Sequence, residues 1–263
     1  MSYGPRPWQQ ASWDWRAATN FMLGGTGAGL MVASVLVQNP LPYPVPVAML
    51  LIGAGLGTVW LEIGRKLRAA HVFFNPFTSW MTRESLAALL FFAFSSFYLL
   101  LGSTQILLVA ALAALAFAYC QARILRAAKG IPAWRMPQVV PLIATTALAE
   151  GTGLLLCVDP GLPALGLFAA AVLARGIAWS GYWRALRQPA SRSALEAPGR
   201  ALMQAGTIAP LALALGALLA PQAAPLAGLA ALLTGWWLKF VLVTRAALNQ
   251  GFALPRLPVR GAR

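Results

Sequence analysis

Eight long apolar runs, separated by short polar joints, decide what this chain can fold into. They cover roughly residues 17–37, 45–66, 84–103, 106–128, 138–157, 161–185, 200–220 and 224–247. About 20 apolar residues in an α-helix span the hydrocarbon core of a bilayer. Breakers sit between the runs: Asn39-Pro40-Leu41-Pro42 after the first, Asp159-Pro160-Gly161 after the fifth. Short joints make consecutive helices antiparallel neighbours. The expected fold is an all-α, polytopic membrane domain of eight helices in two four-helix bundles, 17–128 and 138–247. Tails at 1–16 and 248–263 flank it. The first run is long enough to remain as a helix rather than be removed as a signal peptide.

Charge sorts the joints into two faces. The joints near 38–44, 104–105, 158–160 and 221–223 carry no lysine or arginine. The alternate joints carry Arg65, Lys66, Arg68 and Arg83, then Arg126, Lys129 and Arg135, then Arg184, Arg187, Arg192 and Arg200. Arg6 and Arg16 precede the first helix, and Arg256, Arg260 and Arg263 follow the last. Basic short loops stay cytoplasmic. Both termini are therefore expected in the cytoplasm of a bacterial inner-membrane protein, which agrees with an even number of crossings.

A net charge of +14 on a soluble chain would suggest nucleic acid, but 59% of the residues are hydrophobic and only 10% are charged. The positive-inside bias accounts for the charge, and nucleic-acid binding is set aside. Cys120 and Cys157 lie in separate apolar runs with no metal spacing. His71 is the only histidine, so the chain alone cannot hold a bis-histidine haem or a histidine-rich metal site.

Glycines cluster at Gly24, Gly25, Gly27 and Gly29 in the first run and at Gly53, Gly55 and Gly57 in the second. The steps Gly25 to Gly29 and Gly53 to Gly57 suit close helix crossing near mid-membrane. A phosphate-cradling loop would need a preceding strand, which is absent from the pattern.

Charges inside membrane helices are functional candidates. Glu62, Arg123, Glu150, Arg175 and Lys239 qualify. By depth, Glu62, Arg123, Arg175 and Lys239 fall in the cytoplasmic third and Glu150 nearer the other face. Glu150 and Arg175 then differ by roughly 10 Å, too far for a direct pair. Glu62 is expected to pair with Arg123, Arg175 or Lys239, while Arg123 and Lys239 could instead snorkel.

The most informative stretch is WLEIGRKLRAAHVFFNPFTSWMTRES, residues 60–85. It joins Glu62, the cations Arg65, Lys66 and Arg68, the only histidine, an Asn75-Pro76 turn and Trp80. This pattern of acidic residue, Gly-Arg, basic-apolar segment, Asn-Pro and Ser-Trp-Met resembles the loop between the second and third helices of the polysulfide reductase/NrfD family. That family includes anchors of the DMSO-reductase type. NFMLGGTGAGL at 20–30 is similar to its glycine-rich first helix, and eight spans match. The likeness is concentrated in residues 13–85.

The resemblance implies a membrane-anchor subunit of an iron–sulfur molybdoenzyme. Such a subunit holds no redox metal. It binds a quinone or quinol, menaquinone or ubiquinone, beside a four-cluster iron–sulfur subunit. That partner relays electrons to or from a molybdenum- or tungsten-pterin catalytic subunit. Quinone chemistry needs hydrogen-bond donors and a proton path. By this resemblance Glu62 and His71 are the catalytic proton carriers. Asn20, Arg65, Trp80, Gly24 and Gly25 contact the quinone, and Asp14, Trp15, Arg16, Lys66 and Arg68 meet the partner. The motif-bearing face is the charge-rich one, so the iron–sulfur subunit is expected in the cytoplasm. WDWRAATNF is also similar to the membrane subunit of phenylacetyl-CoA:acceptor oxidoreductases.

Two rival readings stand beside this one. Glu150, Arg175 and Lys239 within helices suit a secondary transporter, which should show inverted repeats and broken helices. No repeat is evident, although Pro141 and Pro210 lie near helix starts. The third reading is a purely structural anchor.

Overall fold

The computed structural model describes residues 7–38, 43–63 and 71–250. Nine helices build these residues: α1 Trp15–Leu36, α2 Pro44–Glu62, α3 Trp80–Leu101, α4 Thr104–Ala127, the short α5 Pro132–Arg135, α6 Val139–Leu156, α7 Leu162–Ala185, α8 at 189–216 and α9 Ala223–Thr244. No strand occurs among them, only an isolated bridge between Gln9 and Leu248.

Seven helices are long and apolar enough to cross a membrane. They correspond to the expected runs within a few residues at each end, except that the run at 200–220 is not among the seven. Its helix, α8, begins at Pro189 with an amphipathic segment exposing Arg192, Glu196 and Arg200. These charges and Gln204 dilute the apolar stretch that follows.

Local signals set the ends. Ser79 caps α3 by accepting a hydrogen bond from the Thr82 amide at 3.3 Å, so α3 begins at Trp80, four residues before the expected start. Gly102, at φ 65°, ends α3 in the left-handed conformation that closes many helices. Asp14 caps α1 from the Arg16 amide at 2.8 Å.

Helices α1 and α6, from the two halves of the chain, pack directly on one another. Glycine makes this approach possible. A Cβ on Gly29 would overlap the Ala147 carbonyl, and one on Gly151 would overlap the backbone of Gly29 and Leu30. Gly153 of α6 and Gly228 of α9 meet in the same way. The glycine steps expected to mark a helix crossing do not join α1 to α2: Gly25 faces Lys239 and Gly29 the α6 backbone, while Gly53 faces Phe92 of α3 and Gly57 open space. The close contact between α1 and α2 runs instead through Gly27, against Ala48, and Gly55, against Asn20 and the Gly24 amide.

The α-helical path widens twice into π turns, at Asn20–Gly24 in α1 and at Gln204–Ile208 in α8. Such turns interrupt the regular carbonyl-to-amide ladder and recur at functional sites.

At the charge-rich end, aromatic residues seal the helix ends. Trp13 stacks at 4.9 Å from Trp134, whose indole N–H donates to the Leu242 carbonyl at 2.8 Å. The segment before α1 runs beside the segment after α9: the Gln10 amide donates to the Ala247 carbonyl at 3.0 Å, and the Asn249 amide to the Trp8 carbonyl at 2.9 Å.

Candidate functional site

Two buried polar clusters share the widened turn of α1. The first lies toward the charge-rich end. Asn20 donates through Nδ2 to Glu84 Oε1 at 3.2 Å, and Gln121 of α4 donates through Nε2 to the Asn20 carbonyl at 3.0 Å. All three side chains are buried. Glu84 is placed there by the early start of α3, which puts it one turn inside the helix rather than at its tip. Asn20, Glu84, Trp13, Val59 and Met81 line a cavity of about 50 Å³. Asn20 Oδ1 and Gln121 Oε1 have no hydrogen-bond partner here.

The second cluster lies deeper. Lys239 Nζ donates to Glu150 Oε2 at 2.6 Å and to the Phe21 carbonyl at 2.9 Å. The usual donor to Phe21, the Gly25 amide, goes instead to the Met22 carbonyl. The widened turn thereby frees an oxygen for the ammonium. Thr26 Oγ1 lies 2.9 Å from Glu150 Oε2 and accepts the Trp236 indole N–H at 2.9 Å. Glycines make room for the charges. A Cβ on Gly25 would come 2.5 Å from Lys239 Nζ, and one on Gly235 would come 2.5 Å from Glu150 Oε1.

Arg175 repeats the arrangement at the other widened turn. Its Nη1 donates to the Ala231 carbonyl at 2.7 Å, and its Nη2 donates to the Gly206 carbonyl. Pro210 explains why that oxygen is available: proline has no N–H to donate to the carbonyl four residues earlier. Arg175 makes no direct ion pair with Glu150, whose partner is Lys239. Each π turn thus gives one carbonyl to one buried cation.

The Glu150–Lys239 pair corrects the depth argument from sequence. Cα–Cβ bonds lean toward the helix N-terminus. In the antiparallel α6 and α9, Glu150 therefore leans toward the charge-rich end and Lys239 away from it. The two side chains lean toward each other and close the gap. The cations expected near Glu62 are all engaged elsewhere: Lys239 by Glu150, Arg175 by carbonyls, and Arg123 by the Tyr119 hydroxyl at 2.6 Å and the Trp80 ring at 4.1 Å.

The other expected site residues divide. Asn20 is central, and Gly24 and Gly25 line the two clusters, against Gln121 and Lys239 respectively. Trp80 is sandwiched by Arg83 and Arg123 and lies edge-on to Tyr119, a tether between α3 and α4. Asp14 and Arg16 form an ion pair at 2.9 Å, and Arg16 also reaches the Leu61 carbonyl, tying α1 to α2. Trp15 is exposed. His71 is exposed on a short 3₁₀ turn, 5.3 Å from Phe74. Glu62 ends α2, and its side chain, like Arg65, Lys66 and Arg68, falls outside the described residues. Glu84, Gln121, Thr26 and Trp236 were not expected from sequence. Among the described residues no cluster of His, Cys, Asp and Glu is suited to a metal ion. No protein-family model and no curated protein matches the chain.

Proposed function

We propose that this chain is the quinone-reactive membrane subunit of an oxidoreductase complex, with the reacting edge of the quinone at Asn20 and Glu84. One observation carries the reading: a buried carboxylate, hydrogen-bonded by an amide, lines a cavity between the apolar interior and the charge-rich end. A quinone carbonyl needs a donor and a proton source. The Asn20 amide can supply the first and the Glu84 carboxyl the second. A space of about 50 Å³ holds little more than one water, so the ring enters only if a wall gives way. Met81, unbranched and exposed, is the wall best able to move. Quinone, when bound, supplies the two-electron redox chemistry. The chain's residues orient it, exclude water and hand over protons.

In this reading, eight crossings place both ends in the cytoplasm of a bacterial inner membrane. Seven crossings would separate the ends, yet the segments before α1 and after α9 are hydrogen-bonded together. That adjacency supports a crossing by the apolar part of α8. The partner is a four-cluster iron–sulfur subunit seated over Asp14, Trp15 and Arg16, and beyond it lies a molybdenum- or tungsten-pterin catalytic subunit. Copurification tests the assembly: a cysteine-rich ferredoxin-like protein should accompany the chain, and quinol-linked electron transfer should require both.

A second reading is favoured by Glu150 and Lys239. A fully buried ion pair inside membrane helices is a feature of proton- or ion-coupled transporters. Solute uptake into vesicles that depends on Glu150, without any redox partner, would select it. If the chain copurifies with partners but shows neither activity, it is a structural anchor.

A further inference from the structure

The end of α7 and the amphipathic start of α8 line a second cavity, of about 480 Å³, which shares no lining residue with either buried cluster. Trp179 and Trp183 line it, together with Arg184, Glu196, Arg200 and Gln204. Its floor is fixed: Gly199 packs against the Trp179 ring so closely that a Cβ there would overlap it. Arg192 lies 4.7 Å over the Trp183 ring. Arg184 and Arg200 are exposed, and Arg200 meets Glu196 only at 3.7 Å with both side chains largely in solvent. Such an exposed pair neutralises little. The lining therefore keeps a positive excess beside two indoles, at the end of a helix that is long and apolar enough to cross a bilayer.

We infer that this cavity binds the headgroup of an anionic glycerophospholipid from the adjoining leaflet. Tryptophan sits at the headgroup level of membranes, and basic pockets between helices at that level hold lipid phosphates. Arg184 and Arg200, from two different helices, can grip one phosphate, and arginine does so with paired N–H donors. Glu196 and Gln204 then face the remainder of the headgroup. A carboxylate and an amide suit hydroxyl donors, so a phosphoglycerol headgroup engages Arg184, Arg200, Glu196 and Gln204 together. The volume falls in the range of ordinary small-ligand sites. This inference is independent of the quinone reading.

The test uses the full chain in detergent, with native mass spectrometry after addition of phosphatidylglycerol or phosphatidylethanolamine at equal concentration. The expected result is at least fivefold more bound phosphatidylglycerol. The preference should vanish in the Arg184→Gln/Arg200→Gln double variant. It should persist in Arg126→Gln/Lys129→Gln, which removes the same charge elsewhere on the same face. Equal binding of the two lipids by the unmodified chain overturns the proposal, as does equal loss in both double variants. Displacement of phosphatidylglycerol by millimolar inorganic phosphate also overturns it, since the site would then recognise a free anion. Gel filtration and far-UV circular dichroism show whether the variants are folded, and the comparison on the unmodified chain stands without them.

Discussion

Lys239 and Glu150 are joined at 2.6 Å with no solvent exposure on either side chain, and the ammonium rests in addition on a backbone oxygen of α1. The pair therefore links three helices: α6, α9 and α1. Removing one member leaves an uncompensated charge in a low-dielectric interior, which is worse than removing both.

Lys239→Met should destabilise the folded chain by about 3–5 kcal/mol, and Glu150→Leu by a similar amount. The double variant should lose less than either single one. Denaturant titration of the purified chain in detergent checks this, and additive losses would show that the pair is not coupled.

Glu84→Gln keeps the shape and the hydrogen bond from Asn20 but removes a transferable proton. Quinol-linked turnover of the complex should fall by about 10²-fold, the usual worth of a positioned proton donor. The amount of assembled complex should stay the same. His71→Gln, at an exposed position that lines neither cluster's cavity, should change turnover by less than twofold. The opposite ranking would return the proton route to the loop.

Gly151→Ala places a methyl group into the backbone of Gly29 and Leu30, where nothing flexible can move aside. Overpacking of this kind costs at least about 1–3 kcal/mol. The yield of folded protein should drop sharply, whereas Gly57→Ala and Gly166→Ala, with open space beside them, should express normally. Fluorescence-detected gel filtration distinguishes them.

The ends of the described chain should be accessible from one side only. In a cysteine-free background, Ser12→Cys and Gln250→Cys should react with an impermeant maleimide from the same face, and Thr104→Cys from the other. Labelling of Ser12→Cys and Gln250→Cys from opposite faces would remove α8 as a crossing.

Much of the helical arrangement is legible in the sequence because crossing a bilayer demands runs of apolar residues, and seven of the eight runs met that demand. The exception has a physical cause: the charged, amphipathic lead of α8 runs straight into its apolar part. Glu84 was missed because the expected run begins with it, which places it at the helix tip. The signal that could have found it is Ser79, a good helix cap that moves the start back to Trp80. Glu150 and Lys239 were singled out separately but not as a pair, since counting residues along helices ignores the lean of the side chains. The π turns have no clear sequence signature in α1. In α8, Pro210 marks the carbonyl it leaves free, a clue that is readable only once Arg175 is seen beside it.

The carbonyls of Phe21 and Gly206 hold Lys239 and Arg175, and a carbonyl belongs to every amino acid. Replacement of Phe21 by another apolar residue would leave the anchor for Lys239 in place. Kinship between proteins built this way is then better traced through a distortion of the main chain opposite a sunken cation than through shared letters. Two proteins could keep the same device while their sequences drift beyond recognition.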